Sequence, residues 1–498
     1  MLVKLELPPG ELQVGTVYQA QGRWYRGTLR RWVPDGGVYA LQPQGGWAAR
    51  LTAAITGKCR CIWQWVDNDT VRWMSLGTHS KLYVATPSDQ TAHDITPSGF
   101  TVGDADAAAG GGYGSGDYGE GTYGTPRLDV AAVQPASVWT LDNFGEILVG
   151  CMAEDGKVYN WDPNTGTGTL ATQVSGSPTG TAIVCTEERF LFVLGAGGDN
   201  RKVQWADQES LTTWTPTSTN QAGDQTLITP GKLMCGRRIR GGTLIWTDQD
   251  VHLASYIGQP FIYSFQRVGD NCGIISRGAS ISVDSRAFWM GTNRFYVFDG
   301  VTRELLCDVA DGVFSDINTT QRSKVVAYHE PQYGEVAWLY PSGASTECDR
   351  KVVYNYIGNF WYVDLDFART AAIARGIFTN PVMVDSDGEV YDHETGYSYG
   401  GDMPYAESGP YELGDGEQIM RARRLIADEG TAGDVSVSFI TRDWPNDSET
   451  TYGPYTIDNP TSIRFAARQA RIKVTGVTFS SWRWGIPRVD VLEGSKRL

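Results

Sequence analysis

The sequence predicts an all-β chain, a β-propeller followed by a C-terminal β-sandwich-like domain. Three observations lead there. Short apolar runs with an aromatic residue, each closed by a polar or glycine turn, recur along the chain at Leu82-Tyr83-Val84, Val158-Tyr159-Asn160-Trp161, Val203-Gln204-Trp205, Val251-His252-Leu253, Phe295-Tyr296-Val297, Val352-Val353-Tyr354 and Val390-Tyr391. From Tyr159 the steps between anchors are 46, 47, 44, 58 and 37 residues. Several strands per unit at roughly 40–50 residues is the propeller period. Glycine is abundant, at 59 of 498 residues, as many tight turns require. Helical periodicity is scarce, and only Phe367 to Ala374 and Glu417 to Ile426 are expected as short helices.

The unit is clearest at 187–220. The run Phe190-Leu191-Phe192-Val193-Leu194 stops at Gly195-Ala196-Gly197-Gly198, and Lys202-Val203-Gln204-Trp205 follows before a polar loop to Trp214. Such a hairpin cannot bury its own face and needs copies beside it. No fixed repeat signature marks the units, so a string of β-sandwiches is the competing architecture.

Taken in order, residues 1–50 are dense in Trp and Arg: Gly22-Arg23-Trp24-Tyr25, Arg31-Trp32 and Gly45-Gly46-Trp47. Arginines among aromatics stack on nucleic acid in some proteins. Elsewhere their stems cover strands at a packed edge or subunit contact. Arg23, Trp24, Arg31, Trp32 and Trp47 are therefore candidate closure or subunit-contact residues. Residues 51–404 form the propeller, with 51–100 as its first blade.

The step from Tyr83 to Tyr159, 76 residues, is too long for one blade. It holds a Gly/Tyr-rich insertion at 101–127 with Tyr113, Tyr118 and Tyr123 spaced by five. That composition builds no core of its own. Regular tyrosines suit a docking or gating loop, a flexible surface insertion being the alternative. Asp385-Ser386-Asp387-Gly388 reads as a β-turn rather than a calcium loop, because its glycine comes too early and no bidentate Glu follows at the right distance. Beyond a Gly/Glu linker at 405–416, alternating runs such as Val435-Ser436-Val437-Ser438-Phe439 and Ser462-Ile463-Arg464-Phe465 predict the sandwich at 405–498.

Net charge is −15, which argues against a general nucleic-acid binder; it is compatible with a conduit wall that must not hold DNA, while the plainer reading is acidity that keeps a large β protein soluble. The N-terminus has no signal-peptide core, and no apolar run has the length of a membrane span. The eight cysteines include no CxxC pair, and Cys59 and Cys61 are expected on one face of a strand. His79, His93, His252, His329 and His393 are not at metal-ligand spacing. No nucleophile elbow or P-loop occurs, so catalytic residue, metal and cofactor are all expected to be none.

The Trp/Arg pattern of 22–47, the blade from Val203 through Trp214 to Asn220-Gln221-Ala222-Gly223-Asp224, the tyrosine repeat, and Arg468-Gln469-Ala470-Arg471 with Trp482-Arg483-Trp484-Gly485 resemble the tail nozzle proteins of short-tailed phages. These are also called packaged-DNA stabilisation or head-completion proteins. The resemblance spans most of the chain and is one of pattern. It implies a structural virion protein, a hexameric ring below the portal and adaptor, assembled in the bacterial cytoplasm. The ring would continue the DNA exit channel, help retain the genome, and dock fibres, spikes or a needle. Double-stranded DNA would pass without specific binding. The alternatives are a propeller-type glycan-binding or fibre module and, third, a propeller glycosidase with two facing carboxylates.

Overall fold

The computed structural model describes residues 1–35, 38–108, 134–412 and 416–494. Among them, seven four-stranded antiparallel blades account for most of the chain. Their inner strands are Cys59–Val66, Trp139–Phe144, Ala182–Cys185, Leu233–Ile239, Ser280–Val283, Val326–Glu330 and Ala371–Ile373. Each inner strand lies against the next, and that of blade 7 returns to that of blade 1, closing the ring. The chain is a β-propeller. Tyr83, Tyr159, Trp205, His252, Tyr296, Tyr354 and Tyr391 all fall on the third strand of their blade. The long step from Tyr296 to Tyr354 holds a helix, Ala310–Asp316, and the connection that follows it.

Aromatic side chains fill the spaces between blades. Trp65 stacks on Trp73 and both meet Trp161 edge-on, between blades 1 and 2. Phe192 and Trp205 of blade 3 pack on Tyr263 and Phe265 of blade 4. Phe295, Trp338 and Trp361 join blades 5 and 6. Such rings bury about 150–250 Å² each and dominate packing energy, which explains why aromatics marked the repeat.

The ring is closed by the N-terminal segment. Trp47–Ala49 is the outer strand of blade 7, with Trp47 opposite His393 and Ala49 opposite Tyr391. Gly46 leads into it so close to Ser398 that a Cβ would fall 2.4 Å from the Ser398 carbonyl oxygen. Only glycine fits that approach.

The C-terminal region is a β-sandwich. One sheet orders Leu2–Lys4, Arg488–Glu493, Met420–Ile426 and Thr461–Ala467. The other contains Tyr405–Ser408, Gln469–Gly476, Val435–Arg442 and Thr450–Thr456. Val435, Val437 and Phe439 alternate inward and pack in one cluster with Leu425, Ile463 and Phe465. The first strand of the chain pairs with the last.

The two domains share a sheet. Trp24–Thr28 pairs antiparallel with Tyr405–Ser408 of the sandwich and parallel with the outer strand of blade 6, Phe360–Asp364, through Gly27 and Asp364. Blade 6 thereby runs into the sandwich as a single ten-stranded sheet. Residues 1–50 are consequently not a unit of their own: they supply one strand to the sandwich, one to the seam and one to blade 7, with a hairpin of Arg30–Asp35 and Val38–Pro43 between the last two.

Three local expectations are corrected. Phe367 to Ala374 holds the strand Ala371–Ile373, and Glu417 to Ile426 holds the strand Met420–Ile426. Pairing with neighbouring strands overrides the helix propensity of their alanines and arginines. Cys59 and Cys61 do not share a face, because a β-bulge between them shifts the register. Cys59 packs toward blade 7 and Cys61 toward blade 2. The turn at 385–388 is as expected, with the Asp385 carboxylate accepting from the backbone N–H groups of Asp387 and Glu389.

Candidate functional site

Two places concentrate buried charge: the seam between the domains and the centre of the propeller. At the seam, Arg30 is fully buried and donates to Asp364 at 2.7 Å and to Glu11. Lys351 Nζ lies 2.8 Å from the second Asp364 oxygen and donates to Gln44 at 2.6 Å. Glu11 also accepts from the Val363 N–H at 2.9 Å. Two cations thus face two carboxylates across the N-terminal segment and blade 6. Burial raises the Asp364 carboxyl, but Lys351 and Arg30 together overcome it and hold it low. For Glu11 burial wins over Arg30 and pushes the carboxyl up to about 7.

Arg31, next in sequence, points to the other face of its strand. It bonds Glu394 at 2.7 Å and Glu335 at 3.1 Å, with its guanidinium 3.7 Å from the centre of the Tyr333 ring. Glu330 lies in the same cluster, where burial and the Glu394 charge push its carboxyl up to about 7.

For Trp24, Arg31 and Trp32 these contacts correct the candidate subunit surface. Trp24, Arg31 and Trp32 are buried within the chain. Trp32 meets Phe360 and Tyr362 edge-on. Arg23 pairs with Asp308 at 3.2 Å. Trp47 is half-buried against His393 and Tyr399, under the Arg369 guanidinium. The Trp/Arg density of 22–47 is explained by a segment threaded between blade 6, blade 7 and the sandwich, where arginine stems and aromatic rings fill a shared core. Tyr113, Tyr118 and Tyr123 lie outside the described residues.

At the propeller centre, the inner strands of all seven blades surround a cavity of about 300 Å³. Four arginines and one aspartate line it. Arg238 pairs with Asp142 at 2.7 Å. Burial raises the Asp142 carboxyl against the pull of Arg238, and the backbone N–H groups of Asn143 and Cys185 also donate to it. Arg60 grips Glu347 with both guanidinium nitrogens, at 2.5 and 2.7 Å, and donates to the Ala105 carbonyl. Arg277 donates to the Met234 carbonyl at 2.6 Å and has no carboxylate within ion-pair distance among the described residues. Burial draws its guanidinium below the usual arginine range. Arg237 makes no ion pair among the described residues, and its buried Nε finds no hydrogen-bond partner.

The root of the 101–127 insertion is fixed beside this cavity. Ala107 and the Gln321 side chain exchange two hydrogen bonds, 2.9 and 2.8 Å, and the buried Lys324 pairs with Asp106 and Glu347. The insertion therefore leaves from a fixed point between blade 1 and the connection into blade 6.

Sequence reasoning missed the central arginines. Arg237 and Arg238 lie on a strand without aromatics, Leu233–Ile239, and Arg277 lies just before the inner strand of blade 5, so they fell outside the pattern that marked the blades. The pair Arg237-Arg238 inside the run Leu233 to Ile239 was the one available signal. Among the described residues no group of three His, Cys, Asp or Glu is placed to hold a metal ion, and no helix is long and apolar enough to cross a membrane.

No family model and no curated protein matches the chain. Among solved structures, similarity is found to YCF48 bound to D1 peptide, at 12% identity and a TM-score of 0.38, covering 72% of this chain and 97% of that one. The AfRom2 CNH domain is similar at 13% identity and a TM-score of 0.32, covering 54% and 89%. A puromycin hydrolase mutant complexed with PGG is similar at 10% identity and a TM-score of 0.37, covering 74% and 61%. At these values the fold assignment rests on the strand pairing described above.

Proposed function

We propose that the chain is a structural subunit of a phage tail nozzle: a hexameric ring below the portal and adaptor that forms the DNA exit channel, helps retain the packaged genome and docks fibres or spikes. The observation that carries the reading is the ten-stranded sheet shared by propeller and sandwich. Strand pairing and a buried four-charge cluster fuse the domains where a flexible linker would leave them to move independently. A wall that holds DNA under pressure needs that rigidity. A net charge of −15 suits a surface along which DNA slides without sticking.

In this reading the conduit lies between subunits, around the ring axis. The propeller's own centre, at about 300 Å³, is of small-molecule size and cannot pass a duplex. The insertion, rooted at Asp106 and Lys324, carries Tyr113, Tyr118 and Tyr123 as the gating or docking element. The test is an infection programmed by the encoding genome with this gene interrupted. Heads that package DNA and then lose it, with tails lacking fibres, support the reading. Heads that keep DNA and assemble complete, infectious tails reject it.

A further inference from the structure

The propeller centre is charged in a way the assembly reading does not use. Of the four arginines lining it, Arg60 is matched by Glu347 and Arg238 by Asp142. Arg237 and Arg277 form no ion pair with a carboxylate among the described residues, although both line the cavity; the Glu154 charge favours the Arg277 guanidinium only from further off. Arginine does not shed its proton at any ordinary pH, so it cannot neutralise itself as a buried lysine can. Buried charges are normally paired because leaving one bare in a low-dielectric site is costly. The rest of the molecule runs the other way, at −15 overall, so the excess of arginine over carboxylate in the cavity lining is local.

The placement of the two arginines narrows the ligand. Arg277 reaches from the start of blade 5 to the Met234 carbonyl on the inner strand of blade 4. Arg237 stands on that same strand, three residues further along, which is about 10 Å of backbone. The lining also carries aliphatic side chains, among them Val138, Ile183 and Ile281. A planar guanidinium fork matches a carboxylate or phosphate oxygen pair.

We propose that the propeller centre binds a small polyanion, carboxylate or phosphate, whose charged groups are shared between Arg237 and Arg277. The site stands on the channel alone and would survive the loss of the nozzle reading.

The test is isothermal titration of the full chain with three probes at low salt: citrate, inorganic pyrophosphate and acetate. Citrate or pyrophosphate binds once per chain, acetate does not, and Arg237→Gln weakens the binding at least about tenfold. Citrate alone binding identifies a carboxylate site, and pyrophosphate alone a phosphate site. Arg237 holds no strand or partner in place, so the variant should fold, and its unfolding midpoint checks that. Should it not fold, hydrogen exchange of the wild-type chain decides: the probe must slow exchange in 233–239 and 277–282. Absence of binding by both di- or polyanions, equal binding of acetate, unchanged binding in Arg237→Gln, or protection elsewhere only would each overturn the proposal.

Discussion

Replacing Arg30 by methionine tests whether the seam fuses the two domains. The side chain is fully buried and bonds both Glu11 and Asp364. After Arg30→Met, Asp364 keeps Lys351 at 2.8 Å and Gln44. Glu11 keeps only the Val363 N–H and a 3.2 Å bond from Gln13. The stranded charge is therefore that of Glu11. Breaking a buried ion pair from one side costs about 3–5 kcal/mol.

The sign of the pH dependence follows. Burial already lifts the Glu11 carboxyl to about 7, above the ordinary range, so the stability it contributes is present at low pH and lost as pH rises through 7. Without Arg30 the carboxyl rises further, and each pH unit above 7 adds about 1.4 kcal/mol to the loss. The assay is urea unfolding at pH 6, 7 and 8.5, followed by tryptophan fluorescence and far-ultraviolet circular dichroism. Wild type should unfold with coincident probes. Arg30→Met should lose about 3–5 kcal/mol at pH 7 and more at 8.5, with the sandwich separating from the propeller as an earlier transition. Adding Glu11→Gln should remove the extra loss at high pH. A variant within about 1 kcal/mol of wild type at every pH, with one coincident transition, refutes the fused seam.

Other outcomes follow from the same geometry. Glu330 has a buried oxygen without a hydrogen-bond partner and a carboxyl pushed up to about 7; Glu330→Gln should therefore stabilise the chain at pH 8 by up to about 3 kcal/mol and change little at pH 4.5, whereas an equal effect at both would contradict the assignment. Gly27→Ala would set a Cβ 2.3 Å from the Tyr405 carbonyl oxygen; it should open the seam strand and expose the 1–50 segment to protease, and unchanged proteolysis would contradict the close approach. Gly46→Ala should unlatch blade 7 by the analogous clash with Ser398, read as faster hydrogen exchange in 390–393. All eight cysteines are free, six of them buried, with burial pushing thiols such as Cys59 and Cys348 up to about 12; a thiol-disulfide reagent at pH 8 should react slowly with the folded chain and with eight thiols after unfolding.

The blades were legible because most third strands carry an aromatic residue that packs in the core, and aromatics at a steady spacing survive when no motif does. The sandwich was legible from strict alternation at 435–439 and 462–465, where one face is buried and the other solvated. What could not be read is non-local. Trp47 pairs with His393, 346 residues away in sequence, and Leu2–Lys4 pairs with Arg488–Glu493. Period and composition report local geometry and say nothing of such partners. That is why the 1–50 arginines and tryptophans resembled a subunit surface while they fill a seam. The bulge at Cys59 and Cys61 inverted a face assignment for the same reason: one extra residue shifts the alternation. Arg60, Arg237, Arg238 and Arg277 meet only because seven inner strands converge, a juxtaposition that no stretch of sequence contains.

The most direct test of the nozzle reading is quantitative mass spectrometry of purified particles from an infection that encodes this chain, counted against the portal protein. A ring subunit should be present at the fixed copy number of the closed sixfold ring, unchanged when fibres are stripped from the tail. A copy number that varies with fibre content, or absence of the chain from particles that carry portal and genome, would contradict it.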